Sequence, residues 1–163
     1  MGQNVLSKQH KLLGLVLGVV ILGAIGLIAY PFRASGEEVV IHTKTGAHKF
    51  QVEIAKTPDS RAKGLMHRDY LGANRGMLFL YPNQRSVTMW MKNTLISLDM
   101  LFVSTDGRIV RVARNAQPHS QTLIPSIEPI IAVLEIRGGE AEAIQVKAGD
   151  RLEASISLES ARQ

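Results

Sequence analysis

The side chains best suited to chemistry lie in one short segment of the chain. It offers an aromatic ring, an ammonium, an amide, a hydroxyl and a carboxylate, carried by Trp90, Lys92, Asn93, Thr94 and Asp99. Alternation along a strand places Trp90 and Lys92 on the same face, and Asp99 can return across the following hairpin toward Lys92. An aromatic face beside a few polar groups is typical of ligand sites. The segment therefore predicts a binding site for a small polar or glycan-like ligand.

A structural explanation of the same five side chains is open at this point. Asn93 and Thr94 suit a turn, because their side chains bond readily to nearby backbone. Lys92 and Asp99 can form an ion pair, and Trp90 can cover the edge of the core. In that case the segment stabilises its own hairpin and binds nothing.

A second candidate site consists of two arginines on a helix predicted over residues 58–68. Arg61, Gly64 and Arg68 follow one another at helical spacing and so share one face. The glycine leaves a gap between the two guanidinium groups, which can hold a carboxylate or a phosphate. The alternative is that both arginines are solvated on the outer face of the helix.

Several classes of catalytic site are excluded by the sequence. It has no glycine-rich phosphate loop, no Gly-x-Ser-x-Gly elbow and no His-Glu-x-x-His helix. It has no cysteine, which excludes thiolate nucleophiles and cysteine-ligated metals, and its histidines show no zinc or copper spacing. We therefore expect a binding domain. An enzyme that uses Asp99 as general acid or base, tuned by Lys92, is the less favoured hypothesis.

Methionines are dense in the middle of the chain. Met66, Met77, Met89, Met91 and Met100 lie within thirty-five residues. A thioether cluster would suit a soft ion, which makes Cu(I) handling an alternative function. Strand alternation places Met89 and Met91 opposite the tryptophan, which favours packing in the core. We predict neither a metal site nor a cofactor.

Hydrophobic periodicity predicts the elements that position these side chains. Apolar runs and alternation indicate seven or eight strands, and a helical turn at 140–145 and a long loop at 115–129 are expected beside the helix. The predicted strands are 39–42, 50–55, 77–81, 86–92, 98–103, 108–113, 130–136 and 151–156. The fold class is α+β and β-dominated: a small barrel-like or sharply folded, mostly antiparallel sheet with one or two short helices, preceded by one transmembrane helix.

The N-terminal segment predicts the compartment. Residues 12–30 are uncharged and mostly apolar, and as a helix they would span about 28 Å, the thickness of a bilayer core. Two lysines precede them and two glutamates follow, which places the N-terminus in the cytoplasm. The rival is a signal peptide cleaved near Ala34-Ser35-Gly36, which would give a secreted domain. The predicted organisation is a cytoplasmic segment 1–11, an anchor or uncleaved signal 12–30, a linker 31–38, an exported domain 39–158 and a tail 159–163.

Net charge gives little indication of a nucleic-acid partner. The chain carries a formal charge of +5, but after Gly36 sixteen Lys and Arg face fourteen Asp and Glu. The exported part is therefore close to neutral, whereas nucleic-acid proteins present strongly basic surfaces. We predict no nucleic-acid partner.

A series of motifs in a fixed order resembles a known family. They are Phe50-x-Val52-Glu53-Ile54-Ala55, Thr57-Pro58-x-x-Arg61-x-x-Gly64-Leu65-Met66-x-Arg68, Gly76-Met77-Leu78-Phe79, Trp90-Met91-Lys92-Asn93-Thr94-Leu95-Ile96-x-Leu98-Asp99-Met100-x-Phe102 and Gly107-x-Ile109-Val110. Together they resemble the domain-of-unknown-function family 192, also called uncharacterised protein family 0127, over residues 47–157. The resemblance implies a small exported or membrane-anchored protein and supplies no activity. Ser97 and His67 depart from the family pattern, so the turn and the helix surface are expected to differ locally.

These observations lead to one hypothesis. We expect a single-pass domain tethered to the cytoplasmic membrane, facing the periplasm or the exterior, that binds a small polar or polymeric envelope ligand without turning it over. Arg61 and Arg68 would contact an anionic group, and Trp90 would supply a stacking surface. The remaining polar side chains would orient the ligand: Lys92, Asn93, Thr94 and Asp99.

Overall fold

The computed structural model describes residues 36–155. The predicted cytoplasmic segment, the anchor, the tail and most of the linker lie outside these residues. The first strand begins at Glu37, two residues before the predicted start of the domain. Among the described residues, no helix is long and apolar enough to cross a membrane.

Nine strands and two short helices make up the described part of the chain. The strands are β1 (Glu37–Thr43), β2 (Gly46–Ala55), β3 (Arg75–Arg85), β4 (Thr88–Met89), β5 (Leu98–Val103), β6 (Ile109–Ala116), β7 (Ile124–Pro125), β8 (Ile130–Arg137) and β9 (Arg151–Ala154). The helices are α1 (Pro58–Lys63) and α2 (Glu140–Ala143). The predicted β-dominated class is therefore confirmed.

Seven strands form one sheet that curls as a half-barrel. Their order is β6, β5, β8, β3, β2, β1, β9, and all neighbours are antiparallel except β2 and β3. The two outer strands meet at one end, where the backbones of Arg108 and Arg151 form an isolated antiparallel β-bridge. The Leu152 amide there donates to the Gly107 carbonyl at 2.8 Å. A Cβ on Gly107 would lie 2.7 Å from the Leu152 carbonyl oxygen, so this close approach requires glycine.

The central strands bury apolar side chains on both faces. Leu78 on β3 joins one buried cluster, and its neighbour Phe79 joins the other. β5 and β8 are buried along almost their whole length, which explains their continuous apolar sequences. Leu65 and Met91, which lie outside the sheet, cover the cluster that contains Phe79. The candidate site lies on this second face.

The helix predicted over 58–68 is shorter in the structure. It begins with the predicted N-cap at Thr57, which forms a capping box, and it ends at Lys63. Gly64 follows with a φ of 47°, a left-handed value that favours glycine and stops the helix. The two arginines of the second candidate site therefore do not share a helical face.

The strand predicted over 86–92 is also shorter. Only β4 is regular, and it pairs with β7, inside the loop predicted at 115–129. Two residues further on, the Met91 amide donates to the Ser120 carbonyl at 3.0 Å. Residues of the predicted loop thus form backbone hydrogen bonds with residues 88–94, which we call the Trp90 segment.

Candidate functional site

A cavity of about 260 Å³ lies beside α1, and we call it the Trp90 cavity. Its walls come from α1 and the turn after it, from β4 and the residues that follow, and from β3 and β8 of the sheet. Phe79, Leu65 and Met89 supply apolar surface. Its polar lining consists of Arg61, Lys63, Tyr81, Thr88, Lys92, Thr94 and Glu135.

Arg61 is held at the cavity by backbone and aromatic contacts. One of its terminal nitrogens, Nη1, donates to the carbonyls of Lys56 at 2.6 Å and Leu80 at 2.9 Å. Its guanidinium carbon lies 5.1 Å from the centroid of the Tyr81 ring, within cation–π range. No acidic residue between 36 and 155 pairs with it, so its other donors can serve a ligand.

Gly64 allows the turn after α1 to approach the apolar wall. A Cβ at this position would lie 3.1 Å from Cζ of Phe79. Both the backbone conformation and the packing therefore favour glycine at this position, because its φ and its proximity to Phe79 each disfavour a side chain.

Trp90 and Lys92 lie side by side, as the sequence predicted. The Lys92 ammonium is 5.4 Å from the centroid of the Trp90 ring. Between them Met91 is 1% exposed and packs into the core, whereas Trp90 is 46% exposed. The two side chains that flank the buried methionine both line the cavity.

Of the two neighbours Asn93 and Thr94, only Thr94 lines the cavity. Thr94 is 5% exposed, lines the cavity and accepts the His119 amide at 3.0 Å through its carbonyl. Asn93 adopts a φ of 56°, and its carbonyl accepts the His67 amide at 2.9 Å. Asn93 thus joins the turn after α1 to the Trp90 segment, and it is absent from the residues that line the cavity.

Arg68 lies apart from the Trp90 cavity. Its guanidinium forms a two-point ion pair with Glu53, with Nη1 to Oε1 at 2.5 Å and Nη2 to Oε2 at 2.7 Å. The hydrogen bond to Glu53 raises the pKa of Arg68. Arg68 is therefore paired within the protein and does not line the cavity with Arg61, and the clamp of two arginines on one ligand stays a prediction.

Asp99 also has a position different from the predicted one. It is fully buried, and its carboxylate accepts the Asn115 amide at 2.7 Å and the Ala141 amide at 2.8 Å. It thus joins β5 to the end of β6 and to α2. The carboxylate does not turn toward Lys92, and burial keeps it from acting on a substrate as general acid or base.

Glu135 is the acidic residue of the site that the sequence analysis missed. It lies on β8 opposite Met77 of β3 and Met100 of β5, and it is 4% exposed at the cavity wall. Burial raises its pKa to about 8. Its carboxyl has no hydrogen-bond partner among the residues the structure describes. One acidic residue inside the otherwise apolar run 130–136 was the signal that could have identified it.

Tyr81 interacts with both Arg61 and Glu135. Burial raises the pKa of Tyr81 to about 12, while the Arg61 charge lowers it and Glu135 raises it. Its hydroxyl donates to Sδ of Met89 at 3.7 Å. The tyrosine is therefore neutral at physiological pH and presents its ring to the arginine.

The methionines divide between the core and the cavity. Met77, Met91 and Met100 are at most 6% exposed and belong to the second apolar cluster, whereas Met66 and Met89 line the cavity. Within residues 36–155 no group of three or more His, Cys, Asp or Glu side chains could hold a metal ion. Most of the predicted thioether cluster is thus part of the core.

Known proteins similar to this chain share its fold and carry little functional information. The model of the family DUF192, described as Uncharacterized ACR, matches residues 40–154. A crystal structure of a "putative transcription regulator" from Sinorhizobium meliloti is 43% identical, covers 74% of this chain and 95% of its own, and has a TM-score of 0.72. A protein of unknown function from Novosphingobium aromaticivorans is 43% identical, covers 71% and 83%, and has a TM-score of 0.70. No curated protein matches the chain.

Proposed function

The chain belongs to the uncharacterised DUF192 family, and from that premise we propose that it is a membrane-tethered, exported domain that binds a small polar envelope ligand in the Trp90 cavity. The proposal depends on one observation. The cavity combines a half-exposed aromatic ring, cations without acidic partners and a buried carboxyl that has no hydrogen-bond partner among residues 36–155. The Glu135 carboxyl lines the cavity and receives no hydrogen bond from residues 36–155, so it is free to bond to a ligand there.

The size of the cavity favours a small ligand. Pockets for drug-sized molecules measure about 300–1,000 Å³, and the Trp90 cavity, at about 260 Å³, lies just below that range. A polymer could therefore enter with only one terminal unit. The volume therefore favours a small molecule or one unit of a polymer as the ligand.

The side chains of the cavity favour binding over turnover. Glu135 is the only acidic residue among those that line it, and none of the lining residues is a histidine, a serine or an aspartate. Hydrolysis of a glycosidic bond by the common mechanisms requires two carboxyl groups placed on either side of that bond. Asp99, the acid of the enzyme hypothesis, is buried elsewhere.

The membrane tether is supported by the apolar run 12–30. We expect the full chain to stay with membranes after alkaline carbonate extraction, and we expect a variant without residues 12–30 to leave them. Protease added to spheroplasts should degrade the domain. A domain that only lysis exposes to protease would place it in the cytoplasm and refute export.

Ligand binding is tested with the full chain, isolated from its membranes in mild detergent. Native mass spectrometry should show an organic adduct that is lost in Trp90→Ala. The matched control is Tyr70→Ala, because Tyr70 is 72% exposed and does not line the cavity. A copper adduct would instead favour the Cu(I) alternative, and a bare chain whose Trp90 fluorescence no envelope extract changes would contradict binding.

A further inference from the structure

We propose that the Trp90 cavity binds a small acidic sugar end-on, with the sugar carboxylate at the mouth beside Lys63 and Lys92 and its hydroxyl groups at the Glu135 carboxyl. The inference rests on the proposed binding function and names the substrate class. It follows from the way charge and burial change from one end of the cavity to the other.

The outer end of the cavity is cationic. Lys63 and Lys92 are exposed, and Arg61 is partly exposed beside them. None of the three has an acidic partner within 4.0 Å among residues 36–155, although seven ion pairs occur elsewhere in that range. Three unpaired cations around one opening attract an anion, and charge-assisted hydrogen bonds are about twice as strong as neutral ones.

The inner end of the cavity is a single acid in apolar surroundings. Glu135 is 4% exposed, and the residues opposite it in the sheet, Met77 and Met100, carry no polar hydrogen. A carboxyl at the cavity wall without a protein partner can exchange hydrogen bonds with a molecule that enters. An ionised ligand group placed there, among apolar side chains and away from the lysines, would lose its hydration without gaining a charged partner. The charged end of the ligand therefore stays outside, and a neutral, hydroxyl-bearing end faces inward.

The wall between the two ends suits a sugar ring. Trp90 is 46% exposed, with the Lys92 ammonium 5.4 Å from its ring centroid. An aromatic ring can cover the apolar face of a pyranose, and the ammonium that lies over the same ring can contact an acidic substituent. A ligand stacked on Trp90 therefore has its carboxylate within reach of Lys92.

The protonation state of Glu135 gives this arrangement a pH signature. The titratable and charged groups that line the cavity with it are Tyr81 on β3, Arg61 and Lys63 on α1, and Lys92 after β4. Arg85, also on β3, acts on Tyr81. Burial raises the pKa of Glu135 to about 8 and that of Tyr81 to about 12, so Glu135 titrates first as the pH rises from 7. Affinity for an acidic sugar should be constant from pH 6 to 7 and fall above pH 8 as a second negative charge forms.

The test uses the fluorescence of Trp90, the only tryptophan of the full chain. The probes are D-galacturonate, D-galactose and D-galactosamine, which differ in charge on a common ring. We expect galacturonate to bind about tenfold or more tightly than galactose, and Lys92→Gln to remove about that factor. Lys44→Gln is the matched control, because Lys44 is exposed and does not line the cavity.

A second variant tests the inner end. Glu135→Gln keeps the shape and remains neutral, so galacturonate affinity at pH 7 should stay within about threefold while the fall above pH 8 disappears. Equal binding of galactose, tighter binding of galactosamine, or no binding of any of the three sugars would overturn the acidic-sugar inference. The proposed function would survive any of these outcomes if the native chain carried an organic adduct that is lost in Trp90→Ala.

Discussion

The Lys92 ammonium lies 5.4 Å from the centroid of the Trp90 ring, and both side chains line the cavity that Glu135 closes on the inside. Lys92 therefore pairs with an aromatic ring and has no carboxylate partner within residues 36–155. A lysine without such a partner contributes little to folding and is available to a ligand. Trp90 and Lys92 thus line the cavity, whereas Asp99 accepts two backbone amides inside the protein.

Trp90→Ala should abolish ligand uptake and leave the fold intact. The ring is 46% exposed, so the free energy of unfolding should change by no more than about 1 kcal/mol. Thermal unfolding and the native mass spectrum of the same preparation measure both effects. A variant that loses stability and ligand together would make Trp90 part of the core and remove the evidence for a site.

The two arginines predicted as a clamp should behave differently. Arg61→Ala removes a lining cation and should weaken ligand binding, whereas Arg68→Ala breaks only the pair with Glu53. That pair is about one-third exposed on each side, so we expect its loss to cost less than about 1 kcal/mol. Titrations of both variants with the same ligand compare their losses of affinity. Equal losses of affinity would support the hypothesis that both arginines contact the ligand.

Asp99→Asn should destabilise the fold by about 2–4 kcal/mol. The side-chain NH2 of the asparagine would face one of the two backbone N–H groups that now donate to the carboxylate, so that donor would lose its acceptor. Lys92→Ala should change the free energy of unfolding by less than about 0.5 kcal/mol. Urea unfolding of both single variants and the double variant measures their coupling. Additive effects are expected, while a coupling above about 0.5 kcal/mol would indicate the Lys92–Asp99 ion pair that the sequence suggested.

Glu135 should make the protein less stable as the pH rises. Its pKa is about 8 in the folded state and near the ordinary glutamate value of 4.5 when unfolded, so between these values only the folded chain holds the proton. The free energy of unfolding should therefore fall by about 1.4 kcal/mol per pH unit across that window. Below pH 4.5 the group contributes nothing, and above pH 8 the full cost is present.

Glu135→Gln should remove this slope and be more stable than the unmodified chain at pH 8. The urea midpoints of the two chains are compared between pH 5 and pH 8. Their difference isolates the contribution of Glu135, because the two chains share all other titrating groups. Glu142→Gln is the matched control, since Glu142 is exposed. Parallel pH curves for the unmodified chain and Glu135→Gln would show that the carboxyl is ionised or solvated in the native protein.

Much of the fold was predictable because its signals are local. The Asp-Gly turn between β5 and β6, the Thr57 cap and the apolar runs of β3 and β8 each depend on residues a few positions apart. The family was likewise identifiable from the order of its motifs. Where the local signal was incomplete, as at Gly64, the helix was predicted too long because a glycine with positive φ and a mid-helix glycine look the same in sequence.

The sequence by itself indicated that Trp90 and Lys92 share a side, because the two residues flank one apolar residue, Met91, which is buried. Only the tertiary structure decided which charges are free. Arg68 meets Glu53 from fifteen residues away, and Asp99 meets the Ala141 amide from forty-two, and both contacts remove a predicted ligand contact. Glu135 reaches the cavity because β8 lies between β3 and β5. Such pairings depend on long-range strand order, which residue types and short spacings do not encode.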